Sequence, residues 1–339
     1  MMPRRFSAAF IFTPRHSVDK TRRSFKEKIV AWIDINEYQF PQGWTQPESA
    51  EQLAKNRCEQ LERGGILFFK TPPFDLPEAD RQFLLGQRQS GFKGHKNISY
   101  RPLTNELRGA AAGESPEDAG RLTDIMKRYS QQVTGFVDRF LLPYAKHRVL
   151  DFASYRPIEE QNRDLPLHKR NDLAHVDAFP TRPTNGGRIL RVFTNINPVE
   201  NRVWETTDPF DVIAPKFAAD AGLEELTAPT AMRRVVSGLA PILKTVVKGV
   251  DRSPYDRFML RFHDYLKENQ EYQTKYPKVR TEFPPNSAWL VYTDTVPHAV
   301  LSGKFALEQT FIIPVKAMVA PSTAPIKVLE SLVGRGLSN

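Results

Sequence analysis

His175-Val176-Asp177, followed far downstream by His298, places metal-ligating side chains in a spacing that suits iron. On an extended segment His175 and Asp177, two residues apart, project to the same face. His298 lies 121 residues beyond Asp177, after Pro297, and opens the extended run Ala299-Val300-Leu301. Two imidazoles and one carboxylate on one side of a metal form the facial triad of non-haem Fe(II) oxygenases, which leaves positions open for a bidentate 2-oxoacid and dioxygen. A bare HxD pair also arises by chance, and a core histidine satisfied by hydrogen bonds is its commonest explanation. The remaining histidines, His16, His95, His147, His168 and His263, show no ligand spacing with one another. His263 reads as a helix-surface or core residue.

A 2-oxoacid beside such a triad needs a cation or strong donors at its distal carboxylate, because an unpaired buried charge is costly. Ten or eleven residues beyond the last histidine, where many such oxygenases carry an arginine, stand Glu308 and Gln309. The run from Arg188 to Asn197 alternates so that Arg191, Phe193, Asn195 and Asn197 share a face. Arg191 together with Gln309 is the expected carboxylate site, with Asn195 on the same face. Arg188 is the alternative and Lys304 a weaker one. An ordinary structural salt bridge is the competing role for either arginine.

The elements that must hold these residues are legible in outline. A helix is expected from near Pro47 to Arg63, stopped by Gly64-Gly65. A second starts at Ser115-Pro116-Glu117-Asp118, with capping hydroxyl, Pro and acids in order, and carries Leu122, Ile125, Tyr129, Val133, Phe136 and Phe140 at helical spacing. After Val149 the texture changes to short extended segments at 149–155, 173–178, 188–197, 278–283, 287–293, 297–301 and 305–315. A helical insertion at about 200–275 separates the third from the fourth, and Ser253-Pro254 opens a helix within it. Helices followed by strands without β-α-β alternation predict a mainly β fold with α: a double-stranded β-helix (jelly roll) core with N-terminal helices and the helical insertion. The expected organisation is a basic, loosely ordered arm at 1–30, one oxygenase domain at 31–320 and a tail at 321–339.

Composition narrows the classes. The 339 residues are 40% hydrophobic and 26% charged, as in a globular chain. One cysteine, Cys58, excludes an internal disulfide and Cys-based zinc or iron–sulfur centres, and fits a reducing compartment. There is no G-x-G-x-x-G and no P-loop, which counts against nicotinamide and kinase chemistry. A balance of 48 basic to 39 acidic residues gives +9, which favours anionic partners. The basic residues are dispersed among acids rather than gathered with exposed aromatics, so nucleic acid is not expected. No apolar run is long enough to span a bilayer, and the Met1–Phe12 stretch is too short for a signal peptide.

His175-Val-Asp-Ala-Phe-Pro-Thr-Arg-Pro183 and Arg188-Ile-Leu-Arg-Val-Phe-Thr-Asn-Ile-Asn-Pro198 resemble the signature block of the Kdo hydroxylases. Ser154–Glu160, Arg257–Leu266 and Leu307–Phe311 resemble that family too, so the resemblance runs from residue 154 to 311. It implies an Fe(II)- and 2-oxoglutarate-dependent dioxygenase that uses O2 to hydroxylate carbon 3 of the Kdo sugar in the lipopolysaccharide inner core, giving Ko. His175, Asp177 and His298 match the family's metal positions. The implied substrate is Kdo-bearing lipid A, with Lys93, Lys96, Arg101, Arg156, Arg170 and Arg182 as candidate anion contacts. The expected location is cytoplasmic, peripheral at the inner membrane of a Gram-negative bacterium. Contact with the anionic surface would come through Arg4, Arg5, Arg22 and Arg23 with Phe6 and Phe10; a homo-oligomer is compatible with this picture. On the residues alone, the same chemistry on another small molecule or lipid stays open, as does a metal-free, basic nucleic-acid-binding jelly roll.

Overall fold

The computed structural model describes residues 32–35, 47–90, 97–111, 115–228 and 252–338. The basic arm and Lys93 and Lys96 lie outside the described residues.

Eleven strands among the described residues form two sheets. The larger has the order β1 (Trp32–Asp34), β2 (Ile66–Phe69), β9 (Ser287–Tyr292), β6 (Arg188–Asn195), β11 (Ala306–Ile313), β5 (Val149–Arg156), β3 (Ile98–Arg101) and β4 (Glu106–Arg108). The smaller runs β10 (His298–Ser302), β7 (Arg202–Thr206), β8 (Val279–Phe283). Only the β1–β2 pair is parallel.

The central strand β6 is buried along its whole length because each face meets a different core. Leu190 and Val192 join Leu290, Tyr292, Leu307 and Phe311 against the helices α1 (Pro47–Glu62), α2 (Glu78–Leu85) and α3 (Pro116–Phe140). Phe193 faces the other way, toward the small sheet. There Trp204 packs edge-on to it at 5.0 Å, and Phe283 stacks on Trp289 at 3.7 Å. Helix α3 begins as expected: Ser115 Oγ accepts from Asp118 N at 3.0 Å, Pro116 follows, and all six spaced apolar residues are buried. Losing such a cap costs about 1 kcal/mol. Gly64 ends α1 at φ +89°, where a Cβ would stand 2.8 Å from that of Pro209.

A third core gathers α4 (Phe210–Phe217), α5 (Leu223–Thr227), α6 (Pro254–Glu268), α7 (Gln270–Lys275) and α8 (Pro325–Val333) around Ala174, Val176 and Ala299. The segment after Pro321 is therefore a packed element: Ile326, Leu329 and Leu337 are buried in this core.

Two expectations need correction. Residues 202–206, read as the start of the insertion, are β7, the middle strand of the small sheet. The expected strand at 173–178 is an irregular segment with one bridge, His175 to His298. Its pairing is intermittent: Val300 N donates to Asn171 O at 2.7 Å, the two histidines exchange backbone bonds, and Asp177 N turns to Thr293 O at 2.8 Å.

Candidate metal centre

The histidine bridge brings the triad together. His298 N donates to His175 O at 2.9 Å and His175 N to His298 O at 3.2 Å, so the two residues oppose each other directly. One ligand atom each from His175, Asp177 and His298 lies within 4.8 Å of the others. Val176, between the first two, points the opposite way and is anchored in the helical core.

Each imidazole is held by its inner nitrogen. His175 Nδ1 donates to Leu173 O at 2.7 Å and His298 Nδ1 to Val296 O at 3.0 Å; a carbonyl only accepts, so both rings carry their proton on Nδ1 and present Nε2 as a lone pair. His298 also stacks on Trp204 at 4.8 Å, and His175 packs edge-on to His263 at 4.8 Å. Burial first, then nearby Lys267, His263 and His298, pushes His175 well below the ordinary imidazole range. Burial lowers His298 against the opposing pull of Asp177. For Asp177, burial raises the carboxyl, but Arg191 and the two histidines more than offset it, and it stays far below the usual range. Two neutral imidazoles and one ionised carboxylate are the protonation states that ligate a metal.

His175 and Asp177 border a cavity of about 700 Å³, whose walls come from β3, β4, β5, β6, β11, α6 and the loop after Asp177. A narrow recess of about 30 Å³ continues past the triad between Arg156, Arg191, Arg202 and Trp204. Its Asp177, Arg191, Arg156 and Arg202 belong to one ionic chain that continues beyond it. Arg191 lies 3.2 Å from Asp177 and 2.7 Å from Glu308; Glu308 holds Arg156 at 2.9 Å, and Glu160 faces Arg156, Arg163 and Arg202 at 3.7, 3.2 and 3.8 Å. Three carboxylates thus meet four guanidiniums in these pairs, and Glu159 also acts on Arg202.

Arg202 is the least closely paired of the four. It is 1% exposed, its Nη1 donates to Gly303 O at 2.9 Å, and its Nε has no hydrogen-bond partner. Glu160 Oε1 is likewise unbonded. Burial, only partly offset by Glu160, pushes the Arg202 guanidinium down to about 10. Gly303 permits this approach: at φ +111° its position would put a Cβ 2.9 Å from Arg202 Cα.

Of the residues expected at the cosubstrate, the structure brings only Arg191 to the cavity. Gln309 sits on the opposite face of β11, with Nε2 donating to Asp151 O and Thr310 O at 2.9 Å each. Arg188 is on the outer face of β6, bonded to Asp294 at 2.9 Å and to Thr295, and stacked on Tyr292. Asn195 ties β6 to the turns at Glu200 and Phe283, both at 3.0 Å. Lys304 is at the surface near Glu200. Arg101, Arg156 and Arg182 line the cavity; Arg170 pairs with Asp172 instead. Arg202 and Glu160 were not singled out. The signal for Arg202 is an arginine set in the apolar alternation Arg202-Val-Trp204 just after the Pro198 turn.

Two imidazoles and a carboxylate, held in the crevice between two sheets, are the donor set of the mononuclear non-haem iron class. The chain belongs to the Kdo hydroxylase family: the family's sequence model, described as 3-deoxy-D-manno-oct-2-ulosonic acid (Kdo) hydroxylase, matches residues 44–336. It is similar to the solved structure of the Kdo hydroxylase KdoO, a non-haem Fe(II) α-ketoglutarate-dependent dioxygenase, in complex with α-ketoglutarate and Fe(III). Identity is 33% over 91% of this chain and 97% of that one, with a TM-score of 0.74. The apo and cobalt(II) forms of that protein give the same identity, coverage and TM-score. No curated sequence matches the chain.

Proposed function

We propose that this protein is an Fe(II)- and 2-oxoglutarate-dependent dioxygenase that hydroxylates carbon 3 of Kdo in Kdo-bearing lipid A, giving Ko. The observation that carries the reading is the convergence of His175, Asp177 and His298 on one point in a chain of this family. Their nitrogen and oxygen donors suit Fe(II), and the hydrogen bonds behind both imidazoles aim them at it. We read the facing large and small sheets as the double-stranded β-helix core of such oxygenases.

The bound iron, with 2-oxoglutarate and O2, would supply the oxidising power, one oxygen atom entering the sugar C–H bond while the cosubstrate leaves as succinate and CO2. The protein's own groups do the rest. Arg191 keeps Asp177 ionised. Arg202, backed by Arg156, offers the distal carboxylate of 2-oxoglutarate a buried, under-compensated cation, in place of the Arg191–Gln309 pair expected from sequence. Trp204 and Phe193 give the recess an apolar wall. The decisive experiment incubates purified protein with Fe(II), 2-oxoglutarate and Kdo-lipid A. It should yield a lipid heavier by one oxygen atom with matching succinate; no mass gain with metal loaded would refute the reading.

Location follows from the substrate. We place the enzyme on the cytoplasmic face of the inner membrane of a Gram-negative bacterium, held by its +9 charge. No helix of the described residues is long and apolar enough to cross a membrane. Leu103, 87% exposed on the β3–β4 hairpin, and Leu167, 43% exposed beside His168 and Lys169 at the cavity, are surface groups suited to insertion at headgroup level. Binding to anionic vesicles should weaken from low to physiological salt; salt-independent binding would exclude electrostatic docking.

A further inference from the structure

One wall of the cavity is a stack of alternating guanidinium and phenyl groups. The Arg101 guanidinium carbon is 5.0 Å from the Phe152 ring centre, Arg182 is 4.1 Å from Phe152 and 4.4 Å from Phe179, and Arg191 is 5.7 Å from Phe179. All five residues line the cavity, and the stack ends at Arg191, which touches the triad carboxylate Asp177.

Arg182, the middle cation, is the one built to receive a ligand. Both Phe179 and Arg182 precede prolines, which confine each to extended backbone. Arg252 donates to Pro180 O, and the Asp256 carboxylate accepts from Thr184 N at 2.8 Å and Asn185 N at 3.1 Å, so the loop is tied on both sides of Arg182. Asp151 Oδ2 accepts from Arg182 Nε at 3.2 Å and lies 3.1 Å from Nη2, which orients one edge of the fork. No hydrogen bond from the described residues engages Nη1, and the side chain is 36% exposed. A guanidinium has a second edge with geometry matched to a carboxylate. By contrast, Arg191 and Arg156 are already held by Glu308.

We propose that Arg182 is the specificity-determining residue for the acidic sugar, its free edge taking the sugar carboxylate. The inference rests on the Kdo reading above. In Kdo the carboxylate is attached to carbon 2, next to the carbon that would be hydroxylated, so anchoring it one phenyl ring away from Arg191 sets that carbon at the triad. A lipid A phosphate is an anion of similar appeal to a guanidinium, and the test must separate the two.

The experiment measures anaerobic binding, with Fe(II) and 2-oxoglutarate present, of three ligands: Kdo-lipid A, its dephosphorylated form and its Kdo methyl ester. The unaltered protein should bind the acid about tenfold or more tightly than the ester, the range expected for a charge-assisted hydrogen bond. Arg182→Gln should bind acid and ester alike, while dephosphorylation should change both proteins by the same factor. Arg182→Lys, which keeps charge but loses the fork, should retain only part of the acid preference. An unaltered protein that ignores esterification overturns the proposal without any variant. So does Arg182→Gln that keeps the acid preference, or that loses sensitivity to phosphate instead. Failure of the unaltered protein to bind any of the three, with 2-oxoglutarate still bound, would instead refute the Kdo reading itself.

Discussion

Arg191 stands between Asp177 and Glu308, 3.2 Å from the first carboxylate and 2.7 Å from the second, so one guanidinium joins the metal-facing carboxylate to the interior ionic chain. Replacing it with methionine would leave two buried carboxylates without their shared cation. Arg191→Met should destabilise the metal-free protein by about 3 kcal/mol in urea unfolding. Fe(II) or Co(II) at the triad supplies a substitute positive charge beside Asp177. Added metal should therefore raise the variant's stability more than that of the unaltered protein; equal stabilisation would show that Arg191 does not serve Asp177.

Each triad residue should be individually required. His175→Ala, Asp177→Ala and His298→Ala are expected to lose metal binding and hydroxylation while retaining their circular dichroism, since the backbone bonds that join residues 175 and 298 remain. Near-normal turnover by any one of them, with metal content verified, would exclude the assigned centre.

At the cosubstrate end, two residues separate the competing assignments. Arg202→Met should raise the Kd for 2-oxoglutarate about tenfold or more, measured by anaerobic calorimetry with Fe(II) in place. Gln309→Ala should leave it unchanged, because the Gln309 amide is engaged by backbone carbonyls on the far side of β11. The reverse pattern would restore Gln309 and remove Arg202.

Acid should attack the ionic chain in a defined window. Burial raises Glu308, but Arg191 and Arg156 more than compensate and hold it below its ordinary value; Arg156 and Arg202 do the same for Glu160. A lowered folded-state pKa contributes stability that is complete above the unfolded value, about 4.3 for Glu, and is lost as pH falls through the folded one. Unfolding free energy should thus drop below about pH 4. Glu308→Gln, less stable at neutral pH, should show a shallower drop over that window. Parallel curves would mean that Glu308 does not contribute through ionisation.

The metal-site candidates were legible from the i, i+2 pair together with the family-like block around it, and the structure brings His175, Asp177 and His298 together. The strands at 149–156, 188–195, 279–283, 287–292, 298–302 and 306–313 were legible from composition and turns. What escaped depends on which face looks inward. Thr310 pairs with Arg191 across β11 and β6, so Glu308 and Thr310 face the cavity and Gln309 follows Val192 to the outer core. A one-residue change of parity separates a ligand from a structural amide, and only the cross-strand register decides it. Arg202 was hidden for a related reason: its segment was read as the start of the helical insertion, and its role becomes visible only once β10 and β8 flank β7.

The paired backbone bonds between His175 and His298 also bear on the order of events during biogenesis. The bridge joins residues 123 apart in the chain, so the site's geometry needs the intervening helices and strands to bring them together. Loop closure of that length is slow and entropically costly before native contacts reward it. Iron is therefore not expected to nucleate this polypeptide in the way zinc organises a short finger. Refolding without added iron should accordingly recover the native circular dichroism, with metal loading as a separate, later step.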